Sequence, residues 1–285
     1  MSQFCFLSGE FSVSLPLCMK QKSRWDHYTN SSKLIGLPGG GSIVKSGKPY
    51  SGVLWYCSTD DEELAEKNLN EIISSGVKCW PNPKWLLHVN NRFKNIDILK
   101  PILNVNIQHG NKDQIKMLRC PSVVKVGNVH CGEGKFRVEN QQEFDSLMAT
   151  ISDGEQLSIE PFYSGRSYRV FVSGLTNKEE VVVLRYDNDQ DWIKNNPGCD
   201  VVEDDSRLTQ ETKDTAIAIH RHMNSFEGIL EQGTLMSGID YVVDENNEWN
   251  FLEWNQFPGV GMNDKLVEIA KKTFQAAIIK IEEIQ

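Results

Sequence analysis

Three oxygen-bearing side chains near the carboxyl terminus have the types and spacing of a cation site. They are Asp240 in SGIDYVVDENNEWNFLEWN, and Glu253 and Asn255 in NFLEWNQFPGVG. Between them, Asn246 and Asn247 suit a two-residue hairpin turn, because Asn tolerates the left-handed backbone of a type I′ turn. Folding there sets Asp240 directly opposite Glu253, with Cβ atoms roughly 4.5–5.5 Å apart, and side-chain alternation puts Asn255 on the same face. Two carboxylates so close on a half-buried face repel each other unless one takes a proton or a cation lies between them. Hard Mg2+, with Mn2+ as an alternative, held by a few carboxylates and by phosphate oxygens, matches that donor set. The competing reading is an amphipathic strand whose Glu253 and Asn255 face water. Phe251, Leu252, Trp254 and Phe257 around the pair, and an acid in register opposite, favour the cation.

VVKVGNVHCGEGKFRV (123–138) invites a nucleotide reading. It is not a Walker loop, because Glu133 stands where the Lys should follow Gly132, and what comes next is strand-like rather than helical. A Rossmann turn is excluded on the same ground. Glycines 127, 132 and 134 in a hairpin loop would let backbone N–H groups approach phosphate oxygens, and Lys125 at the end of the strand adds a point charge. Three loop glycines alone equally describe a flexible solvent turn; their company with the carboxylate hairpin favours phosphate. Cys131 lies in this loop with no base near it in sequence, so a catalytic thiol is not assigned.

The elements that must position these groups follow from periodicity. GVLWYCST (52–59) reads as a buried strand, and Asp60 to Ser75 as a helix capped by Thr59 or Asp60 and stopped at Gly76. NPKWLLHVNNRFKNIDILKPIL reads as one helix opening on Pro83 and ending before Pro101. SVVKVG and GKFRVEN form the glycine-rich hairpin, and NQQEFDSLMATI (140–151) a helix. EQLSIEPFY, SYRVFVSG and EEVVVLRYD are successive strands. Residues 206–231 read as a helix, whose His220 and His222, two positions apart, are expected on the surface. Asp264 to Ile284 is a closing amphipathic helix with Leu266, Ile269, Ala270, Thr273 and Ala277 as its packing stripe. The first 50 residues show no clear period and carry no assigned chemistry. The expected class is α+β behind a small α/β start.

Composition sets the frame. The chain has 285 residues, 39% apolar and 24% charged, as in an ordinary globular protein. A net charge of −9 argues against a broad nucleic-acid surface but allows a local basic pocket. Seven scattered cysteines without a C-x-x-C pair indicate reduced thiols, and no run of about 18 apolar residues spans a membrane. A soluble, cytoplasmic protein is expected.

With these segments in place, the chain resembles the ATP-grasp superfamily. VVKVGNVHCGEGKFRVENQQEFDSL followed by EPF is similar to the synapsin-like branch, and FLEWNQFPGVG to the terminal metal motif of ribosomal-protein glutamate ligases and D-alanine-type ligases. The resemblance covers about residues 84–270. It implies two α+β subdomains clamping ATP: a glycine-rich subdomain at about 100–160 and a metal-binding one at about 161–285, within an ATP-grasp domain of 84–285 preceded by an α/β region of 1–83.

By the same resemblance, Lys125 contacts the α/β-phosphates and the loop from Gly127 to Gly134 closes over the β/γ-phosphates. Glu160, Pro161 and Phe162 form the segment whose backbone holds the adenine edge. Lys94 stands at an earlier phosphate-binding position, although Phe93 replaces the Asp that usually precedes it. Arg169 and Arg185 match family arginines, Arg169 shifted by one residue relative to synapsins. Asn195 or Asn196 in DWIKNNPG is a further polar contact, and Asp240, Glu253 and Asn255 match the magnesium ligands. No counterpart of the ribose-binding acid is visible. The implied function is ATP- and Mg2+-dependent carboxylate–amine ligation through an acylphosphate, on small-molecule or peptide substrates, with a homo-oligomer allowed. The alternative is a synapsin-like ATP-binding regulator without ligase activity.

Overall fold

The fold is known from a computed structural model, which describes residues 4–8, 25–28, 44–45, 48–49, 52–56, 62–117, 119–128, 134–174, 178–187, 199–229, 233–234, 236–260 and 263–283. Strands β1 (Phe4–Ser8) and β2 (Trp25–Tyr28), a small hairpin of β3 (Val44–Lys45) and β4 (Lys48–Pro49), then β5 (Gly52–Tyr56) and β6 (Lys78–Trp80) make up the amino-terminal region. Four of them form a parallel sheet in the order β2-β1-β5-β6. Helix α1 (Glu62–Ser75) links β5 to β6 and ends where Gly76 takes a φ of +66°, a left-handed stop that glycine adopts without strain. Only β5 and α1 were legible in sequence, since β6 is three residues long and β1 and β2 find their partners far along the chain.

The single helix expected after Pro83 is two. Helix α2 (Pro83–Val89) starts on Asn82, whose side chain accepts from the Lys84 N–H at 2.9 Å. Asn91 then turns extended, and its side-chain oxygen accepts from the N–H groups of Phe93 (2.8 Å) and Lys94 (3.4 Å), starting helix α3 (Arg92–Leu99) in a new direction.

A second, antiparallel sheet holds β7 (Gln108–Asn111), β8 (Ser122–Val126), β9 (Lys135–Val138) and β10 (Gln156–Pro161) in the order β7-β10-β8-β9. Helix α4 (Gln141–Thr150), capped by Asn140, covers one face by packing Phe144 and Met148 on Val124, Leu157 and Ile159.

The third sheet is also antiparallel: β11 (Arg166–Ser173), β12 (Glu180–Asp187), β13 (Asp200–Glu203), β14 (Met236–Val243) and β15 (Trp249–Asn255), ordered β13-β12-β11-β14-β15. Alternation gives it two apolar faces. One face, with Tyr168, Val170, Ile239 and Tyr241, meets Ala216, Ile219 and Met223 of α5 (Gln210–Met223) and Trp85 and Leu86 of α2. The other, with Phe171, Val182, Leu184 and Met236, meets Leu266, Ile269 and Phe274 of α6 (Asp264–Glu283) and Leu54 and Tyr56 of β5. Both cores thus join residues from either side of the boundary expected at 83. Helix α5 is shorter than the expected 206–231 because Thr209 caps it, accepting from the Thr212 N–H at 3.0 Å. Among the described residues no helix is long and apolar enough to cross a membrane.

Candidate functional site

The β14–β15 hairpin carries the carboxylates, though not by the turn its sequence suggests. Its loop closes between Asp244 and Glu248, with the Asp244 N–H donating to the Glu248 carbonyl at 3.2 Å and Asn247 in the left-handed region at φ +64°. That is a three-residue loop, which moves the register by one relative to the expected turn. Tyr241 therefore pairs with Phe251. A bulge between Asp240 and Tyr241 then leaves Leu252 as the extra residue, so Asp240 faces Glu253 and Gly238 faces Asn255. The two slips cancel. The bulge also breaks strict alternation: Phe251 joins Tyr241 in the core, while Glu253 turns to the opposite face with Asp240.

On the other side of β14, Arg169 of β11 lies directly across from Asp240. Its Nε donates to Asp240 Oδ1 at 2.5 Å and its Nη2 to Oδ2 at 2.7 Å, a forked, charge-assisted pair. Asn255 adds a donor from Nδ2 to Asp240 Oδ2 at 3.2 Å. Burial pushes the Asp240 carboxyl up, against the pull of Arg169.

Glu253 is the meeting point of the second and third sheets. Arg92 Nη2, from the first turn of α3, donates to its Oε2 at 3.1 Å. The ammonium groups of Lys125 (β8) and Lys135 (β9), paired across their hairpin, each lie 3.9 Å from the same oxygen. Lys125 also contacts Glu160 of β10 at 2.8 Å, both side chains being buried. Burial alone would raise the Glu253 carboxyl, but Lys135, Lys125, Arg92 and Arg169 together hold it well below the usual carboxylate range. Four basic side chains, Arg92, Lys125, Lys135 and Arg169, thus surround the three carboxylates Glu160, Asp240 and Glu253. Arg92, Lys125, Glu160 and Glu253 line a small cavity with Asn95, Phe251 and Leu252.

The residues expected from sequence divide accordingly. Lys125, Glu160, Arg169, Asp240, Glu253 and Asn255 come together. Arg185 does not: it pairs across the sheet with Tyr168, on the face opposite to Arg169 and Asp240. There it donates to Asp187 through Nε and Nη2, at 2.9 and 2.8 Å, and to Asp204 through Nη1. Lys94 also stays out, its side chain exposed on α3. Two residues apart on a helix face apart, so the side that brings in Arg92 turns Lys94 away.

The glycine loop is described in part. Gly127 and Gly134 take φ of +71° and +62°, and the Gly127 N–H is already bonded to the Gln156 carbonyl at 2.9 Å. Gly132, Cys131, Asn195 and Asn196 lie outside the described residues. Pro161 is buried in β10, and the Phe162 N–H donates to the Pro121 carbonyl at 3.0 Å, which takes that donor away from any base edge.

Of His220 and His222, both expected on the surface, the first is buried and the second half-buried. His220 is 3% exposed, its Nδ1 2.8 Å from the Ser237 hydroxyl, and His222 Nε2 lies 2.8 Å from the Ile98 carbonyl. Sequence reasoning missed Arg92 and Lys135. Asn91 as a helix cap would have pointed to Arg92 in the first turn, and pairing across the glycine hairpin would have set Lys135 opposite Lys125.

Two sheets that close cationic side chains over a carboxylate hairpin define a recognisable frame, and the RimK-like ATP-grasp domain matches residues 93–278. The chain belongs to the RimK-like ATP-grasp family. The ATP-grasp recognition and the α+β class are therefore correct, and the ligase assignment follows from family membership. No curated protein matches the sequence. Among solved structures, the fold is similar to D-alanine–D-alanine ligase from Bacillus anthracis complexed with ATP, at 13% identity over 100% of both chains with a TM-score of 0.64. It is also similar to the VanG D-Ala:D-Ser ligase from Enterococcus faecalis, at 11% identity over 99% of both chains with a TM-score of 0.69. L-amino acid ligase from Bacillus licheniformis matches at 12% identity, over 100% of this chain and 77% of that one, with a TM-score of 0.58. At such identities these likenesses concern the fold alone.

In this RimK-like ATP-grasp chain the donor set fits a hard divalent cation: two facing carboxylates and the amide oxygen of Asn255, with no sulfur or imidazole. Among the described residues no cluster of three His, Cys, Asp or Glu converges, so a cation held here would need phosphate oxygens or water as further ligands. The carboxylates are neutralised by Arg169 and by Arg92, Lys125 and Lys135, side chains of the types that also pair with phosphate.

Proposed function

We propose that this protein is an ATP- and Mg2+-dependent carboxylate–amine ligase acting through an acylphosphate. A carboxylate oxygen of the first substrate attacks the γ-phosphorus, the bond to the β-γ bridging oxygen breaks, and ADP leaves. The amine nitrogen of the second substrate then attacks the acyl carbon, loses a proton, and phosphate departs with the C–O bond electrons. What carries this reading is the convergence of Arg92, Lys125 and Lys135 on Glu253, directly opposite the Asp240–Arg169 pair. In this reading Lys125 and Lys135 bind and orient the triphosphate. Arg169 would neutralise charge on the transferring group, as phosphoryl transfer requires. Asp240, Glu253 and Asn255 would hold Mg2+, which when bound screens phosphate charge.

No side-chain nucleophile is required by this chemistry. A cytoplasmic setting goes with it, Cys120 and Cys199 being free thiols. The test is incubation with ATP, Mg2+ and pooled amino acids or short peptides, with ADP and phosphate release measured. Turnover that depends on the pool supports the ligase. ATP binding without any such turnover favours the regulatory, synapsin-like alternative.

A further inference from the structure

Helix α3 offers two cations to the site, and the structure separates them. Lys94 is exposed, while Arg92 is turned inward with its side chain 14% exposed. Arg92 Nη2 is bonded to Glu253, but Nη1 is buried and has no acceptor among the described residues. A guanidinium cannot shed its charge, and a buried charged donor left without a partner is costly. The group is a half-used fork, with one nitrogen on the carboxylate and the other without an acceptor, in a side chain that lines a cavity together with Lys125 and Glu160.

A second observation concerns how Arg92 is held. Asn128, the residue after Gly127, reaches out of the glycine hairpin to the junction of α2 and α3. Its Oδ1 accepts from the Arg92 backbone N–H at 3.0 Å, and its Nδ2 donates to the Asn90 carbonyl at 3.1 Å. One side-chain amide therefore ties the turn that launches Arg92 to the strand that carries Lys125. The backbone of Arg92 is fixed at the first position of the helix, where its N–H would otherwise have no intrahelical partner.

Resting on the nucleotide reading above, we propose that Arg92, not Lys94, is the cation through which α3 contacts the phosphates of ATP, and that Asn128 is the positioning residue that aims it. A phosphate oxygen satisfies Nη1 and, by drawing the fork off Glu253, releases that carboxylate for a cation. Geometry supports the choice over Lys94, because a planar fork meets two phosphate oxygens at once, whereas a lysine directed to solvent meets none.

The experiment is calorimetric titration of ATP, with Mg2+, into the full chain and its variants, with the melting temperature of each recorded. Arg92→Gln is expected to weaken ATP binding on the order of tenfold to a hundredfold, the range for a hydrogen bond to a charged group. Arg92→Lys keeps a charge beside Glu253 and so guards against misfolding; it is expected to lose on the order of tenfold, because the fork is gone. Lys94→Gln is expected to bind within about twofold of the parent. Asn128→Ala is expected to weaken ATP binding severalfold in the parent, and to add nothing in an Arg92→Gln background, a result a merely structural loop contact would not give. The proposal is overturned if Arg92→Lys binds like the parent while Lys94→Gln loses affinity, or if the Asn128 and Arg92 effects simply add. If the parent protein does not bind ATP at all, the nucleotide reading itself falls, an outcome distinct from either of these.

Discussion

His220 should make the stability of this protein depend on pH in a way that one substitution removes. The ring lies against β14 and β15, 3% exposed. Its Nδ1 lies 2.8 Å from the Ser237 hydroxyl, which accepts from Trp254 Nε1 at 2.9 Å, and Nε2 is 3.3 Å from the Gly174 carbonyl, an acceptor only. That arrangement suits a neutral ring with its proton on Nε2. Burial lowers the pKa from 6.5 to about 4, against smaller upward pulls from the Gly174 carbonyl and Glu179. The folded state thus binds a proton less readily than the unfolded chain. Stability is complete above the unfolded value and falls as pH drops from 6.5 towards 4, where the loss levels off. At about 1.36 kcal/mol per unit, the loss between about pH 8 and about pH 4.5 is about 2.5 kcal/mol. Urea unfolding followed by tryptophan fluorescence, for the parent and His220→Gln across that range, isolates this contribution from all other titrating groups. The difference in stability between the two should shift by about 2.5 kcal/mol in favour of the variant as pH falls. A difference that stays within about 0.5 kcal/mol across the range would show that the ring is not held neutral by burial.

Three further outcomes follow from the site. Glu253→Gln removes the anion shared by Arg92, Lys125 and Lys135, so ATP without Mg2+ should bind at least as tightly as in the parent while the gain from adding Mg2+ is lost; calorimetry with and without EDTA checks both. Gly238→Ala places a Cβ 2.7 Å from Pro258 Cβ and 3.1 Å from Arg169 Cδ, and should cost about 1–3 kcal/mol in urea unfolding as overpacking does. Arg185→Gln, on the far face of the sheet, should leave ATP affinity unchanged within about twofold and cost no more than about 1 kcal/mol, its acidic partners being partly exposed. Loss of ATP binding in that variant would mean the face assignment is mistaken.

The parts of this protein legible in its sequence are those governed by short-range rules. Period-two alternation put Asp240, Glu253 and Asn255 on one face, and glycines between two β-rich runs marked the β8–β9 hairpin. Even there the answer survived by cancellation. The loop is one residue longer than a two-residue turn, and the bulge at Leu252 restores the pairing.

What only the tertiary structure decided is which elements meet. The alternation of β12 is plain in EEVVVLRYD, but whether Arg185 or its neighbours share a face with Arg169 depends on the register between β12 and β11. Shifting that register by one residue would exchange the two faces. Likewise, the helical period of α3 says that Arg92 and Lys94 point apart, yet the one that reaches Glu253 is settled by the break at Asn91 and the anchor at Asn128. His220 follows the apolar run Ala216–Ile219 and precedes Arg221 and His222, so its side cannot be read from its neighbours, and its burial depends on packing against β14. Alternation and capping act within a few residues and can be read along a chain. Contacts such as Arg92 to Glu253, 161 positions apart, exist only once separate sheets have packed.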